Sequence, residues 1–170
     1  KPACAGSSVG ISKAYCREEL IKACEEALEY DNKILCEQTI VGREIECGVL
    51  GNDNPMASVP GEIVPSNDFY DYEAKYVNSS KLKIPAQIRN ENLNKVRSLA
   101  TGIYRSLGCR GFARVDFFVN EEENRIYFNE INTIPGFTSI SMYPKMFAAC
   151  GVEYGELIDR LICFAIEEEN

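Results

Sequence analysis

Arg114-Val115-Asp116-Phe117 and Phe128-Asn129-Glu130-Ile131-Asn132 flank the polar turn Asn120-Glu121-Glu122-Glu123-Asn124. Read as two antiparallel strands in register about Glu123, they place Asp116 opposite Glu130 and Arg114 opposite Asn132. Side chains alternate with a period of two, so all four groups project from one face. Two carboxylates and an amide at cross-strand distance, with an Arg beside them, suit a hard cation and a phosphate. Without a cation between them, the opposed carboxylates repel. A plain surface ladder of ion pairs is the competing reading. Asn132 argues against it, because an amide balances no charge yet ligates a cation well. The hairpin therefore points to a protein that handles a nucleotide.

Outward from the hairpin, the pattern mixes strands and helices without regular βαβ alternation, which makes α+β the expected class. Arg17 to Tyr30 carries Leu20, Ile21, Cys24, Ala27 and Leu28 at helical spacing. Lys33–Ile40 and Arg43–Leu50 read as strands joined at Val41-Gly42, and Gly61-Glu-Ile-Val-Pro65 as a short strand that Pro65 ends. Ser66 to Pro85 reads as a long polar-aromatic loop, a length that usually signals function. Asn92 to Leu107 predicts a helix with Gly108 as its stop, and two short helices follow at Pro144–Ala149 and Glu153–Glu167.

Composition narrows the classes. With 170 residues, 45% of them hydrophobic, one compact domain is the default. No run of roughly eighteen apolar residues is present to span a membrane, and the first residues lack the apolar core of a signal peptide. The chain opens without Met on what reads as the end of a strand entering a glycine loop, and so reads as a piece of something longer. A net charge of −8 without a basic tract argues against a nucleic-acid surface. Cys4, Cys16, Cys24, Cys36, Cys47, Cys109, Cys150 and Cys163 form no C-x-x-C pair, and His is absent, so a Cys/His zinc site is not expected. Several of these cysteines fall at apolar positions and read as small buried hydrophobes, in keeping with a reducing compartment.

Three further constellations bear on chemistry. Gly6-Ser7-Ser8-Val9-Gly10 can cradle phosphate oxygens with backbone N–H groups and hydroxyls, but it is no Walker A motif, and taken alone such a stretch is more often an ordinary turn. Glu37 and Glu44 lie either side of Gly42, where carboxylates could accept from an exocyclic amine or ribose hydroxyls, or be solvated edge charges. Asp68-Phe-Tyr-Asp-Tyr-Glu-Ala-Lys75-Tyr76 packs aromatics and charges as a lid over a charged ligand would, with Lys75 a candidate phosphate contact. The loop Thr133-Ile-Pro-Gly136-Phe-Thr-Ser-Ile-Ser141-Met142 offers backbone N–H groups for an oxyanion.

In this order the elements closely resemble the C-terminal, ATP-grasp part of the D-alanine–D-alanine ligase family. The stretches that carry the likeness are KPACAGSSVGISK, the Glu37-Gln-x-x-x-Gly-x-Glu44 pair, GEIVP followed by FYDYEAKY, and GFARVDFF with FNEINTIPGFTSISMYP. The resemblance implies an ATP-grasp fold of antiparallel sheets with packed helices over residues 1–170, its first subdomain partly truncated and the family's N-terminal substrate domain absent. It implies a cytoplasmic enzyme of peptidoglycan synthesis, cell-wall biogenesis and cell shape. ATP would phosphorylate one D-alanine, and the amine of a second would attack the acyl phosphate to give D-alanyl-D-alanine.

Carried over by the resemblance, Lys1 would contact the ATP phosphates, with Ser7 and Ser8 in the glycine loop and Ser7 bonded to Tyr76. Glu37 would take the adenine amine, Glu44 the ribose, and Phe69 would wall the base. Gln38 departs from a Lys common in the family. Lys75 would bind the γ-phosphate. Asp116, Glu130 and Asn132 would ligate two Mg²⁺ (or Mn²⁺). Arg114 and the Gly136 N–H would hold the developing oxyanion, and Ser141 would meet the second substrate's carboxylate. Tyr76 and Met142 would set selectivity, Met142 favouring D-alanine over D-serine or D-lactate, for which relatives commonly place an Arg. The family's full-length members are usually homodimers. A ligase for D-serine or D-lactate, or a catalytically silent nucleotide-binding module, is the alternative.

Overall fold

A computed structural model describes residues 1–4, 9–64, 81–138 and 140–167. It divides into two compact units, Lys1–Ile40 with Pro65–Ser80, and Val41–Val64 with Lys81–Asn170. Among the described residues no helix is long and apolar enough to cross a membrane.

The second unit is built on a six-stranded antiparallel sheet. Its strands are β1 (Arg43–Leu50), β2 (Met56–Ala57), β3 (Gly61–Val64), β4 (Lys81–Lys83), β5 (Phe112–Asn120) and β6 (Arg125–Asn132). They run in the order β4-β3-β1-β5-β6, with β2 pairing β1. The expected strand at Arg43–Leu50 and the short strand from Gly61 are present. Neither β2 nor β4 was expected; β4 converts Lys81–Lys83, read as loop, into an edge of the sheet by pairing with β3.

Alternation fixes the two faces. Ile45, Cys47 and Val49 of β1 and Ala113, Val115, Phe117 and Val119 of β5 all point one way and are buried. Over them lies a helix, Asn90–Ser106, which contributes Val96, Ala100 and Tyr104 to the same core. The Tyr104 hydroxyl is buried and donates to the Gly51 carbonyl at 2.9 Å, which satisfies its polar end. We number the helices α1 (Arg17–Leu28, in the first unit), α2 (Asn90–Ser106), α3 (Met142–Ala148) and α4 (Tyr154–Glu167). These helices of the described residues were all expected, with ends displaced by a few residues.

The opposite face carries α3. Gly48 and Gly61 are its seat: a Cβ at Gly48 would lie 2.7 Å from Phe147, and one at Gly61 would lie 2.8 Å from the Met142 sulfur. Leu50, Tyr143, Phe147, Val152 and Leu157 close a second core there. The even-numbered residues of β1 and β5 beyond that seat, Glu44, Glu46, Arg114 and Asp116, therefore share a face with α3.

In the first unit, the expected strand over Lys33–Ile40 is reduced to a single bridge, Pro2 to Ile34. Backbone bonds from Ala3 N to Lys33 O (2.9 Å) and Leu35 N to Lys1 O (2.7 Å) extend it by one step each way. The cysteines also differ from expectation. Only Cys47 is buried, which pushes its thiol up to about 12 and leaves it inert, whereas Cys4, Cys16, Cys36 and Cys163 are exposed; all eight are free.

Candidate active site

The hairpin pairs its four candidate residues as expected. Arg114 pairs with Asn132, and Asp116 with Glu130. Immediately beyond Asp116 the register slips: Phe117 pairs with Phe128, and the ladder ends at Asn120 and Arg125 rather than turning about Glu123. Asn129 is the extra residue, a β-bulge. Its effect is to change which face β6 presents. Without it Phe128 and Glu130 would share a side. With it Phe128 meets Phe117 edge-on at 6.3 Å, towards α2, while Glu130 and Asn132 join Arg114 and Asp116 on the other face. Ile126 and Ile131, five residues apart, both reach the core beneath α2 for the same reason. That odd apolar spacing was the signal in the sequence that a bulge intervenes.

On this face Arg114 forks onto Asp116, Nε to Oδ1 at 2.8 Å and Nη2 to Oδ2 at 2.7 Å. A residue that sequence reading did not single out joins them. Glu46 pairs directly with Asp116 across β1 and β5, and its Oε1 lies 3.3 Å from Arg114 Nε. Glu46, Asp116 and Glu130 thus form one row across three neighbouring strands. Burial opposes the Arg114 charge, but the Asp116 hydrogen bonds and the charges of Glu46, Asp116 and Glu130 outweigh it and hold the guanidinium's pKa above its ordinary value. Three carboxylates share one guanidinium, so the patch stays net negative.

Among the described residues, no trio of His, Cys, Asp or Glu gathers closely enough to cage an ion. The donor set is two opposed carboxylates and an amide, all oxygen. That composition fits Mg²⁺, which keeps waters and takes its remaining ligands from substrate phosphates. Asn132 Oδ1 already accepts from the Ile134 N–H at 3.0 Å, which orients the amide and turns the chain into the next loop.

That loop is pinned to the same face by Phe137, which packs on Phe112 of β5 at 6.0 Å and on Tyr143 of α3 at 5.8 Å. It brings two expected site residues together: a Cβ at Gly136 would stand 2.9 Å from Ser141 Oγ. The Ser141 hydroxyl accepts from the Thr138 N–H at 3.0 Å and lies 2.9 Å from its hydroxyl. Met142 opens α3 and is 6% exposed, set against Gly61.

In the first unit Lys1 Nζ and Glu37 Oε2 form an ion pair at 2.5 Å. Two residues expected to contact different parts of a nucleotide hold each other here. Gln38 is exposed nearby in sequence, and Glu44 belongs to β1 of the second unit. Asp31 ties the start of the chain to this segment by accepting from Lys33 N (3.1 Å) and Cys4 N (2.8 Å), bonds that lower its pKa. Ser7, Ser8, Phe69, Lys75 and Tyr76 lie outside the described residues, and with them the glycine loop and the lid.

The fold and the site define the class: an α+β protein of the ATP-grasp type, its acidic hairpin face flanked by a Pro/Gly loop. The family model for D-ala D-ala ligase C-terminus matches residues 1–163, and the chain belongs to that family. It is 56% identical to a D-alanine–D-alanine ligase of Clostridium acetobutylicum, covering 100% of this chain and 50% of that protein. It is 59% identical to one of Caldicellulosiruptor bescii, covering 100% of this chain and 47% of that protein. Among solved structures, the D-alanine–D-alanine ligase from Coxiella burnetii superposes with a TM-score of 0.87 at 39% identity, over 99% of this chain and 44% of that one. The VanG D-Ala:D-Ser ligase from Enterococcus faecalis also gives 0.87, at 44% identity, over 96% of this chain and 48% of that one. The chain spans about half the length of the curated relatives it matches.

Proposed function

We propose that this chain is the nucleotide- and metal-handling part of a cytoplasmic, ATP-dependent D-alanine–D-alanine ligase that makes the dipeptide for peptidoglycan through an acyl phosphate. The supporting observation is the hairpin face, where Asp116 opposes Glu130 and Arg114 pairs with Asn132 in a chain of this family. Residues 1–170 act as its C-terminal catalytic domain, with D-alanine and an N-terminal substrate domain as partners in a homodimeric whole.

Asp116, Glu130 and Asn132 would hold Mg²⁺, which when bound neutralises phosphate charge during phosphoryl transfer. Arg114 keeps a fixed positive charge at the face where a carboxylate becomes an acyl phosphate and then a tetrahedral oxyanion. The Gly136 N–H is the second donor to that oxyanion, and Ser141 orients the incoming substrate's carboxylate. Lys1, Ser8 and Lys75 bind phosphates, Ser7 and Tyr76 close the lid, and Glu37, Gln38, Glu44 and Phe69 receive the nucleoside. Closure excludes water, to which an acyl phosphate would otherwise be lost.

Met142 is apolar and buried against Gly61, and it brings no charge to the second-substrate site. That favours D-alanine as the acceptor. The likeness to a D-Ala:D-Ser ligase keeps D-serine as the second reading. The experiment is phosphate release by the full-length protein with Mg²⁺-ATP and D-alanine, D-serine, D-lactate or L-alanine, with product analysis. D-alanine alone giving phosphate and dipeptide is the expected result. Release only with a mixed pair overturns the substrate assignment, and no release by a folded, ATP-binding protein overturns the ligase reading.

A further inference from the structure

Glu46 has no part in the scheme above, yet it is 6% exposed. A carboxylate is drawn that far from water only where partners repay its lost hydration. Its place is set by the sheet. The β1–β5 register puts it opposite Asp116, on the side away from Glu130, while Arg114 sits two residues along β5 on the same face. Arg114 Nε therefore lies between two acceptors, 2.8 Å from Asp116 Oδ1 and 3.3 Å from Glu46 Oε1.

The arrangement sets up a competition. Both Asp116 oxygens are engaged by the Arg114 fork. A cation ligated by Asp116 and Glu130 draws on the same oxygens, and a guanidinium and a divalent cation on one carboxylate repel each other. Arg114 must then have another carboxylate to hold it, or it leaves the face on which the oxyanion forms. Glu46 is the carboxylate already within reach, and it lies on the far side of Asp116 from Glu130.

We propose that Glu46 is a positioning residue: it takes the Arg114 guanidinium when Asp116 turns to the cation, and so keeps metal and Arg114 together at one site. This rests on the metal-site reading given under the proposed function. The residue touches neither substrate nor metal; it acts through Arg114, as outer partners of a metal site commonly do.

The test is a double-mutant cycle read by Mn²⁺ binding to the full-length protein, followed through the loss of the free-ion EPR signal. Glu46→Gln leaves Arg114 tied to Asp116, so Mn²⁺ affinity falls roughly tenfold or more. In an Arg114→Gln background, where nothing competes for Asp116, the same substitution leaves affinity within about twofold, the scatter expected of uncoupled changes. Should Glu46→Gln not fold, Glu46→Asp withdraws the carboxylate by one methylene while keeping its charge, and weaker Mn²⁺ binding is again expected. Equal loss in both backgrounds overturns the proposal, because Glu46 then acts directly on the ion. Unchanged affinity on substitution of Glu46 alone overturns it too, and leaves the metal site standing. An unsubstituted protein that binds no Mn²⁺ sinks the metal site and this role for Glu46 together.

Discussion

Asp116 stands directly opposite Glu130 across β5 and β6, and the pairing slips by one residue immediately beyond them. The bulge at Asn129 lets one strand serve two faces. Ile126 packs on the core beneath α2 and the half-exposed Phe128 meets Phe117 on that side, while Glu130 and Asn132 join Arg114 on the opposite side. A regular β6 could keep one set in place only by misdirecting the other.

Glu130→Gln therefore tests the site separately from the fold, whereas Asp116→Asn also takes a charged partner from the part-buried Arg114. Glu130 is exposed, so its substitution should shift stability by no more than about 0.5 kcal/mol. ATP-dependent phosphate release by the full-length protein should fall on the order of a hundredfold in either variant, because several kcal/mol of charge neutralisation is withdrawn. Wild-type turnover in a variant of unchanged thermal midpoint would remove the site from the hairpin.

Gly136→Ala should lower turnover with a smaller effect on stability. Its methyl would arrive 2.9 Å from Ser141 Oγ, a hydroxyl held by Thr138, so the loop must shift where the oxyanion and acceptor are to be bound. Tenfold or greater loss of phosphate release is expected from displacing one such donor, whose removal costs on the order of 10²-fold. An Ala variant with full activity would show that the loop takes the methyl without displacing the Gly136 N–H or Ser141.

Gly48→Ala addresses packing alone. A methyl there would lie 2.7 Å from Phe147 and 3.1 Å from Tyr143, both held in the second core. Overpacking of this kind costs about 1–3 kcal/mol, and urea denaturation should show a lower midpoint with an unchanged slope. No change would mean that α3 is free to lift from the sheet.

Glu62 gives a pH dependence. Burial raises its pKa, but the Arg43 hydrogen bonds at 2.6 and 2.8 Å, the Arg43 charge, the Gln87 N–H and Lys83 outweigh that, and the folded-state pKa is lowered. A lowered carboxylate pKa contributes stability above the unfolded-state value that is lost as pH falls through the folded one. Glu62→Gln should therefore cost about 2 kcal/mol at neutral pH, moderated by solvent at Arg43, whose side chain is 32% exposed. The gap between variant and parent should begin to narrow as pH falls into the ordinary glutamate range and close below it. A gap that stays constant from neutral pH to pH ~3 would mean that the Glu62 charge contributes nothing.

Much of this was written locally. The alternation of Ala113, Val115, Phe117 and Val119 with Arg114 and Asp116 defines the two faces of β5, because a strand's side chains alternate whatever surrounds it. Period-two alternation puts Glu130 and Asn132 on one face of β6, and helical spacing locates the described helices α1 to α4. Tertiary structure decided what depends on a partner distant in the chain. It admitted the bulge, because two cores had to be satisfied at once. It seated α3 on Gly48 and Gly61, and paired Lys1 with Glu37. It brought Glu46 beside Arg114, since β1 and β5 are remote in sequence and their register is set by burial of both strands against α2. Alternation is a property of one strand, but the company a buried charge keeps is a property of the whole sheet.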